Sequence, residues 1–345
     1  MMNQQKIEHA LVCPQCNAPL KPSRFAQSVT CSYCGTIIQL DSSAVTAERF
    51  HEAFRIWNSP ETYQITTWIS LGDRHWAVNQ QIAEGEISDV YKGRLARWPT
   101  ELAILKILRD DKDSDRFENE WNALQALHRS EARGADSFTA LLPQPIMHGE
   151  ISPGLYAGKR ASIYRRISGF KHTLEDVTRA YPQGIPPQAS IWMWRRILEA
   201  LSFIHASGMV HGAVTPAHLL IQENEHGMRL VGYGCAGKKN QKLRNIASDA
   251  EPFYPKSTRS QLSLTPQLDL IMSARCMAAA LGGDPSARSL PDAVPIPLVN
   301  IVHRIAHSDP TATPGEDAWS IREELGTLAN QVFGPPRFIP IVMPS

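Results

Sequence analysis

The sequence predicts an α+β fold in which a sheet-rich part precedes a helix-rich part, with a small cysteine-bearing module in front of both. Strand-like alternation dominates residues 68–167, and long helical patterns dominate beyond residue 174. The 345 residues, 43% apolar and 20% charged, suffice for one large domain and an accessory module. In chain order the predicted divisions are the module (1–40), a linker with an amphipathic helix (41–75), the sheet-rich part (76–167), the helix-rich part (168–330) and a proline-rich extended tail (331–345).

The module carries two C-x-x-C pairs, formed by Cys13, Cys16, Cys31 and Cys34. This spacing lets four thiolates close a tetrahedral zinc site. Gly35 follows the second pair and can take the positive φ of a tight metal-binding turn. Two disulfides or a redox pair are the alternatives, and the lack of an apparent export signal favours zinc. A module of this size buries little core, so the metal would supply most of its folding free energy.

A closed four-cysteine site leaves no open coordination position, so we expect this zinc to be structural and not catalytic. The surface of such a zinc ribbon could dock a protein or a nucleic acid, or the ribbon could be a simple structural appendage. Cys235 and Cys276 have no partner in the sequence pattern and are expected to be buried thiols.

Charge and hydropathy narrow the classes of partner. The formal net charge is +1, so no global field favours nucleic acid or an anionic membrane. No apolar run approaches the roughly 20 residues that a membrane helix needs. The first residues lead into cysteines instead of an apolar signal core. We therefore expect a soluble, cytoplasmic protein without a membrane partner.

Two connecting segments have their own patterns. Residues 43–58 place Phe50, Phe54 and Trp57 on one helical face, which predicts an amphipathic helix that packs on the next domain or docks a partner protein. Residues 334–340 read GPPRFIP, which cannot be regular helix or central strand. This tail should be extended, either packed on the helix-rich part or free for a partner.

The sheet-rich part contains a lysine that needs a partner. Residues 76–82 alternate like a strand and lead into a turn at Gly85. A second strand, residues 101–108, reads ELAILKIL and places Lys106 within an apolar run. An ammonium group rarely lies in such a strand unless it is paired. Glu120, on an adjacent helical pattern, is the candidate; a snorkelling lysine and a solvated glutamate are the alternative.

The helix-rich part contains the most specific stretch of the chain. Residues 201–211 read LSFIHASGMVH and continue into HGAVTPAHLLI, residues 211–221. Together with the strand, turn, lysine and glutamate described above, this stretch resembles eukaryotic-type protein kinases over residues 76–330, roughly three quarters of the chain. The resemblance implies a bilobal kinase-like domain behind the zinc ribbon.

Several nucleotide-site positions of the family are recognisable but altered. The resemblance implies that Lys106 and Glu120 form the kinase lysine–glutamate pair and that Gly85 is the middle glycine of the phosphate-binding loop. Ala83 and Ser88 replace the other two glycines, so close approach to phosphates is compromised. Ile104 stands where kinases carry a small alanine above adenine, which narrows the purine slot. We regard this as a vestigial nucleotide pocket in which binding of ATP and magnesium is doubtful.

The departures from the family concentrate where chemistry occurs. A kinase needs an aspartate that accepts the substrate hydroxyl proton, and an asparagine and a second aspartate that hold magnesium. These three positions are occupied by Ala213, His218 and Gly232. Alanine and glycine offer no ligand, and magnesium prefers hard oxygen donors to imidazole. The resemblance therefore implies that the catalytic site is lost.

Residues that stabilise the fold of the family are present in this sequence. The resemblance assigns Leu124, His211 and Tyr233 to the internal hydrophobic spine, and Tyr164 to the gatekeeper position. It implies that Asp269 holds the backbone of the catalytic loop.

The family's closing phrase appears as residues 308–314, with Thr313 in place of arginine. Its glutamate partner aligns with Lys256. Loss of both members of a buried ion pair leaves no orphan charge.

We therefore expect a pseudokinase that performs no phosphoryl transfer and acts as a scaffold or allosteric regulator of an unidentified partner protein. Two alternatives stay open. An enzyme with atypical transfer chemistry would need replacement carboxylates in the cleft, for which Glu84, Glu86 and Glu223 are candidates without an assignable role. A nucleic-acid-binding protein led by the zinc ribbon is the other, and the near-neutral charge argues against it.

Overall fold

The computed structural model describes most of the chain. The described residues are Cys13, Gln15, Cys34, Ile246, and residues 28–31, 36–39, 65–96, 101–152, 154–167, 169–223, 226–243, 250–256, 263–311 and 316–343. The predicted linker helix over residues 43–58 lies outside these residues, as do Cys16, Gly35 and Thr313.

The first described unit is a small hairpin. Strands β1 (Ser28–Thr30) and β2 (Ile37–Gln39) pair antiparallel, and the Cys31 N–H donates to Thr36 O at 2.8 Å inside the turn. We refer to these strands with Cys13, Gln15, Cys31 and Cys34 as the cysteine hairpin.

Six antiparallel strands close into a barrel in the order β3-β4-β5-β6-β8-β7. Their bounds are β3 (Thr67–Leu71), β4 (Arg74–Glu84), β5 (Ser88–Leu95), β6 (Leu102–Leu108), β7 (Pro145–Ser152) and β8 (Arg160–Arg165). The side chains of Trp76, Leu105 and Ile163 are buried in its core, as the alternating pattern predicts.

The barrel corrects one predicted boundary. Strand β3 falls within the linker assigned to residues 41–75, yet it pairs with both β4 and β7 and closes the barrel. Gly72 takes a φ of +56° in the two-residue turn between β3 and β4, a conformation that favours glycine. The sheet-rich unit therefore begins before residue 76 because this hairpin belongs to it.

Helix α1 (Ser114–His128) follows β6 and packs beside the barrel. Its buried face contains Phe117, Glu120, Leu124 and Leu127, with the three-to-four-residue spacing of one helical side. A single helical turn, α2 (Ala135–Phe138), precedes β7.

The rest of the described chain is mainly helical. Its helices are α3 (Leu174–Ala180), α4 (Pro187–Ala206), α5 (Pro266–Ala280), α6 (Ile296–Ala306) and α7 (Ala318–Phe333). Short strands β9 (His172–Thr173), β11 (Leu219–Gln222) and β12 (Gly227–Leu230) form one sheet, and β10 (Met209–Val210) pairs with β13 (Gly237–Lys238). We call α3–α7 with these strands the helical region. This mixture of sheet and helix confirms the predicted α+β class.

One apolar core joins the helical region to α1. Helices α4 and α5 are buried on most of their surfaces, including several polar side chains. Within this core the indole N–H of Trp194 donates to Ser273 Oγ at 3.0 Å. Leu124 and Leu127 of α1 belong to the same cluster. The position of α1 is therefore tied to the packing of the helical region.

The tail packs on the helical region, which resolves the choice left open by the sequence. Helix α7 ends at Gly334, where φ is +78°. Ile341 is buried, and the hydroxyl of Tyr181 donates to Val342 O at 2.8 Å. Within the described residues no helix combines the length and apolarity that crossing a bilayer requires.

Candidate functional site

The candidate site lies where the barrel, α1 and the helical region meet, and Lys106 and Glu120 form its centre. Lys106 Nζ on β6 lies 2.7 Å from both carboxylate oxygens of Glu120 on α1. The side chains are 18% and 8% exposed, so the pair is largely removed from water. The predicted ion pair is confirmed.

The gatekeeper side chain closes the same space from the adjacent strand. Tyr164 on β8 faces Ile104 across the β6–β8 ladder, and its hydroxyl approaches Glu120 Oε1 at 3.4 Å. Burial, aided by the Glu120 charge, raises the pKa of Tyr164 well above its usual value. Tyr164 is therefore a neutral phenol at physiological pH.

The turn at Gly85 is held by hydrogen bonds and an ion pair from neighbouring side chains. The Gly85 N–H donates to Ser88 O at 2.9 Å, and a Cβ at this position would lie 2.9 Å from the same oxygen. The Arg109 guanidinium donates to the main-chain oxygens of Gly85 and Glu86. Arg116 of α1 pairs with the Glu86 carboxylate at 2.6 Å. Arg116 thus fastens the turn to α1.

Asp269 of α5 holds the loop that corresponds to the catalytic loop. Its carboxylate accepts the main-chain N–H groups of His211 and Gly212, each at 2.8 Å, and lies 2.9 Å from His205 Nε2. Asp269 is fully buried, so these bonds replace its lost hydration. The predicted role of Asp269 is confirmed.

His211 is a buried neutral imidazole. Its Nε2 lies 3.2 Å from Val231 O, and its Nδ1 accepts the Ala213 N–H at 3.2 Å, which specifies a proton on Nε2. The ring packs edge-on against Tyr233 with centroids 4.5 Å apart. Burial lowers the pKa of His211 to about 3, despite the Asp269 charge that opposes this shift.

His218 occupies the position assigned to the magnesium-binding asparagine. It ends a short 3₁₀ turn (Pro216–His218), and its Nδ1 donates to Ala213 O at 2.8 Å. Burial lowers the pKa of His218, although the bond to this carbonyl favours the protonated ring. Ala213, at the position assigned to the catalytic aspartate, contributes main-chain atoms to this arrangement.

Gly232 and His218 fit each other. Gly232 has φ +80° and ψ 52°, the left-handed conformation in which a Cβ is strained. A Cβ built there would lie 2.7 Å from His218 Cε1 and closer still to Cδ2 and Nε2. The imidazole therefore fills the space that a carboxylate side chain at position 232 would need.

The segment after Gly232 is fastened to α1. Tyr233–Cys235 forms a buried 3₁₀ turn. The Asn119 side chain donates to Gly234 O at 3.0 Å and to Ala236 O at 2.7 Å. Together with the burial of Leu124, His211 and Tyr233, these bonds join the elements that the sequence assigns to the internal spine.

Sequence reasoning missed Arg275. This arginine on α5 is 6% exposed, and its guanidinium donates to the main-chain oxygens of Tyr254 and Ala306. It bridges the end of the loop before α5 to the end of α6. A charged residue inside an otherwise apolar helix was the available signal, because such residues are rarely buried without partners.

The described cysteines of the hairpin cluster. The sulfur atoms of Cys13, Cys31 and Cys34 all lie within 4.8 Å of one another, and all three side chains are buried. Cys13 Sγ and Cys34 Sγ are 3.6 Å apart, too far for a disulfide and close to the ~3.8 Å sulfur–sulfur separation of tetrahedral zinc thiolate. The donor set therefore fits zinc, while the predicted fourth ligand, Cys16, lies outside the described residues.

The cysteine hairpin contacts the helical region through Gln15. Gln15 Nε2 lies 2.6 Å from His226 Nδ1, and Gln15 Oε1 accepts from Arg196 at 2.8 Å. His226 in turn lies 2.7 Å from Ile339 O in the tail through Nε2. The sequence contains no local signal for these contacts, since the partners are about 180 to 210 residues apart.

Known proteins resemble this chain most clearly in fold. No model of a protein family matches it. The serine/threonine-protein kinase AfsK of Streptomyces coelicolor is 30% identical over 105 residues, and AfsK of Streptomyces griseus is 31% identical over 106. Each match covers 29% of this chain and 13% of the relative, so the chain spans about an eighth of the length of these relatives.

Among solved structures, the kinase domain of BubR1 superimposes with a TM-score of 0.56 at 16% identity, covering 82% of this chain and 91% of that domain. At this level of identity the likeness establishes the fold alone. The described chain therefore has a protein-kinase-like fold.

Proposed function

We propose that this chain is a pseudokinase: a bilobal kinase-fold protein without phosphoryl-transfer activity that regulates or scaffolds a partner protein. The observation that carries the proposal is the mutual fit of His218 and Gly232. Phosphoryl transfer on this fold depends on magnesium held by carboxylate and amide oxygens. An imidazole now stands in that space and uses its Nδ1 proton on Ala213 O.

The remaining nucleotide-site groups support the same conclusion. Lys106 is paired with Glu120. The main-chain oxygens of Gly85 and Glu86 accept hydrogen bonds from Arg109, and the Glu86 carboxylate is paired with Arg116. Phosphate groups bind to free N–H donors of a glycine-rich loop. Here the Gly85 N–H already donates to Ser88 O at 2.9 Å, so this turn would bind phosphates poorly.

A regulatory role is supported by what has been retained. The Lys106–Glu120 pair, the Asp269 bonds to the loop and the Asn119 bonds to the segment after Gly232 all preserve the relative positions of α1, barrel and helical region. A protein without phosphoryl-transfer activity does not need this framework for catalysis. It is useful to a protein whose shape is recognised by another protein.

The cysteine hairpin completes the proposal as a zinc ribbon. Cys13, Cys16, Cys31 and Cys34 would hold one structural zinc ion, and three of these sulfurs already lie in a compact buried cluster. The Gln15 N–H lies 3.4 Å from Cys13 Sγ, a donor that stabilises a thiolate. Through the Gln15 side chain the ribbon would be held against the helical region.

A thermal-shift titration with ATP, with and without magnesium, tests the inactive-site proposal on the full chain. We expect no magnesium-dependent increase in Tm, and K106M should respond as the wild type does. A saturable increase that requires magnesium and disappears in K106M would contradict the proposal.

The scaffold role needs a separate test. Affinity purification of the intact chain and of K112M, which breaks an exposed ion pair outside this framework, should recover the same partner proteins from the native cell, whereas K106M, which breaks the Lys106–Glu120 pair, should recover fewer. Undiminished recovery of these partners by K106M would contradict a role that depends on the retained framework.

A further inference from the structure

A cavity of about 350 Å³ lies away from the kinase-like cleft, between the cysteine hairpin, α4, α7 and the tail. This volume is within the lower range of small-molecule sites. Its walls come from four separate parts of the chain, including Gln15, Arg195, Glu323 and Phe338. None of these residues has a role in the proposed pseudokinase site.

Arg195 is a buried cation that forms no ion pair with any carboxylate in the described part of the chain. Its side chain lies on α4, and the residue is 8% exposed. One terminal nitrogen reaches Gln15 O at 3.5 Å, a long hydrogen bond, and Nε has no partner in the described part of the chain. Burial and the nearby Arg322 charge lower the pKa of Arg195 to about 10, so the guanidinium is still charged at neutral pH.

The nearby carboxylates of Glu199 and Glu323 attract Arg195, but their hydrogen bonds go to other arginines. Both oxygens of the Glu199 carboxylate are engaged, one by Arg196 at 2.7 Å and the other by Arg322 at 3.0 Å. Glu323 pairs with Arg322 at 2.5 Å. Among the described residues, two carboxylates therefore bond to Arg196 and Arg322, and neither bonds to Arg195. A buried charge without a counter-ion is strongly unfavourable.

Aromatic rings form another wall of the same cavity. His226 is stacked between Trp192 and Phe338, with ring centroids 4.3 Å and 3.9 Å apart. The indole N–H of Trp192 is buried and has no hydrogen-bond partner among the described residues. The stack therefore gives the cavity an apolar wall, while the buried Trp192 N–H is not accessible from the cavity.

We infer that this cavity binds a small aromatic monocarboxylate, whose carboxylate pairs with Arg195 and whose ring lies against the edges of the Trp192–His226–Phe338 stack. A guanidinium is well suited to carboxylates because its parallel N–H donors match the two oxygens. Glu323 on the same wall disfavours a dianion such as a phosphate monoester. The ligand would connect the cysteine hairpin and the tail to the helical region, independently of whether the kinase-like cleft is active.

Calorimetric titration of the full, zinc-loaded chain with benzoate tests this inference, with benzamide as the neutral analogue and inorganic phosphate as the dianion. The variants are R195M, which keeps the length and removes the charge, and R179M, which removes an exposed arginine on α3. We expect saturable benzoate binding, at least tenfold weaker in R195M and unchanged in R179M, and no binding of benzamide.

If R195M fails to fold, measurements on the wild-type chain still test the inference. The Trp192 indole signal, assigned with W192F, should shift on addition of benzoate and not of benzamide. The inference is overturned if the wild type shows no saturable benzoate binding, if benzamide or phosphate binds as tightly, or if R195M binds benzoate equally well. If Arg195 only balances the charge of the cysteine cluster, the wild type would show no saturable benzoate binding.

Discussion

The imidazole of His218 fills the space that a side chain on Gly232 would need. By resemblance to kinases these are the two positions that hold magnesium, and here the replacements fit each other. Restoring an acidic side chain at position 232 alone would place it against the ring. The residues at these two positions therefore form one packed arrangement and are not two independent substitutions.

The substitution G232A should destabilise the protein more than G158A does. Both glycines have nearly the same φ, +80° and +81°, but a Cβ on Gly158 meets no atom within 4 Å. We expect about 1 kcal/mol from backbone strain in each case. Overpacking against His218 should add about 1–3 kcal/mol in G232A. Urea denaturation measures both values.

The double variant G232A/H218A provides the control for overpacking. Removal of the ring should recover the overpacking contribution but not the backbone strain, which gives a coupling free energy of about 1 kcal/mol or more. Equal destabilisation by G232A and G158A, with no coupling to H218A, would show that the ring does not fill this space.

The Lys106–Glu120 pair should contribute to stability as a unit. K106M leaves a largely buried carboxylate whose remaining neighbour is the Tyr164 hydroxyl, so we expect a loss of about 2 kcal/mol. The double variant K106M/E120Q should recover part of this loss because no charge is left unpaired. Chemical denaturation of the variants gives the values.

The exposed pair Lys112–Asp110 is the matched control for that experiment, and K112M should have little effect. A K106M variant as stable as the wild type would contradict the close pairing of Lys106 and Glu120.

The pH dependence of stability should report on His211. Its pKa is about 3 in the folded protein and 6.5 as a free side chain, so below about pH 6 the unfolded state binds a proton that the folded state does not. Stability must then fall as the pH decreases, by up to about 1.4 kcal/mol per pH unit. H211Q should reduce this slope between pH 6 and pH 4.5 by the uptake of one proton. An unchanged slope in H211Q would show that His211 is not kept neutral.

Zinc content tests the cysteine cluster. Because three buried sulfurs already lie within 4.8 Å of one another, we expect one zinc ion per purified chain, measured by elemental analysis. C34S should lose most of this zinc, and C276S, which removes a buried thiol on α5, should retain it. A wild-type chain without zinc, or equal loss from both variants, would contradict the zinc-ribbon proposal.

The sequence predicted those features that depend on local pattern or on family order. Lys106 in an apolar strand signalled a partner, and Asp269 could be placed by its motif. The fit of His218 to Gly232 could not be read in this way, because it depends on the ring orientation that the Ala213 carbonyl sets. The signal for this fit was a histidine and a glycine at the two positions that hold magnesium together in kinases.

Other features escaped prediction for different physical reasons. Strand β3 falls in the predicted linker because the boundary at residue 76 follows the start of the kinase resemblance, although strand-like alternation is predicted from residue 68. The contacts of Gln15 with His226 and Arg196 join distant parts of the chain and leave no mark on local composition. That no described carboxylate pairs with Arg195 is evident only once the partners of Glu199 and Glu323 are known.

The most direct test of the central claim is phosphoryl transfer itself. The full chain, loaded with zinc, is incubated with radiolabelled ATP and magnesium, alone and with generic protein substrates, beside K106A. We predict no incorporation above that of K106A. Incorporation by the wild type that disappears in K106A would show that the site retains catalysis and would contradict the account.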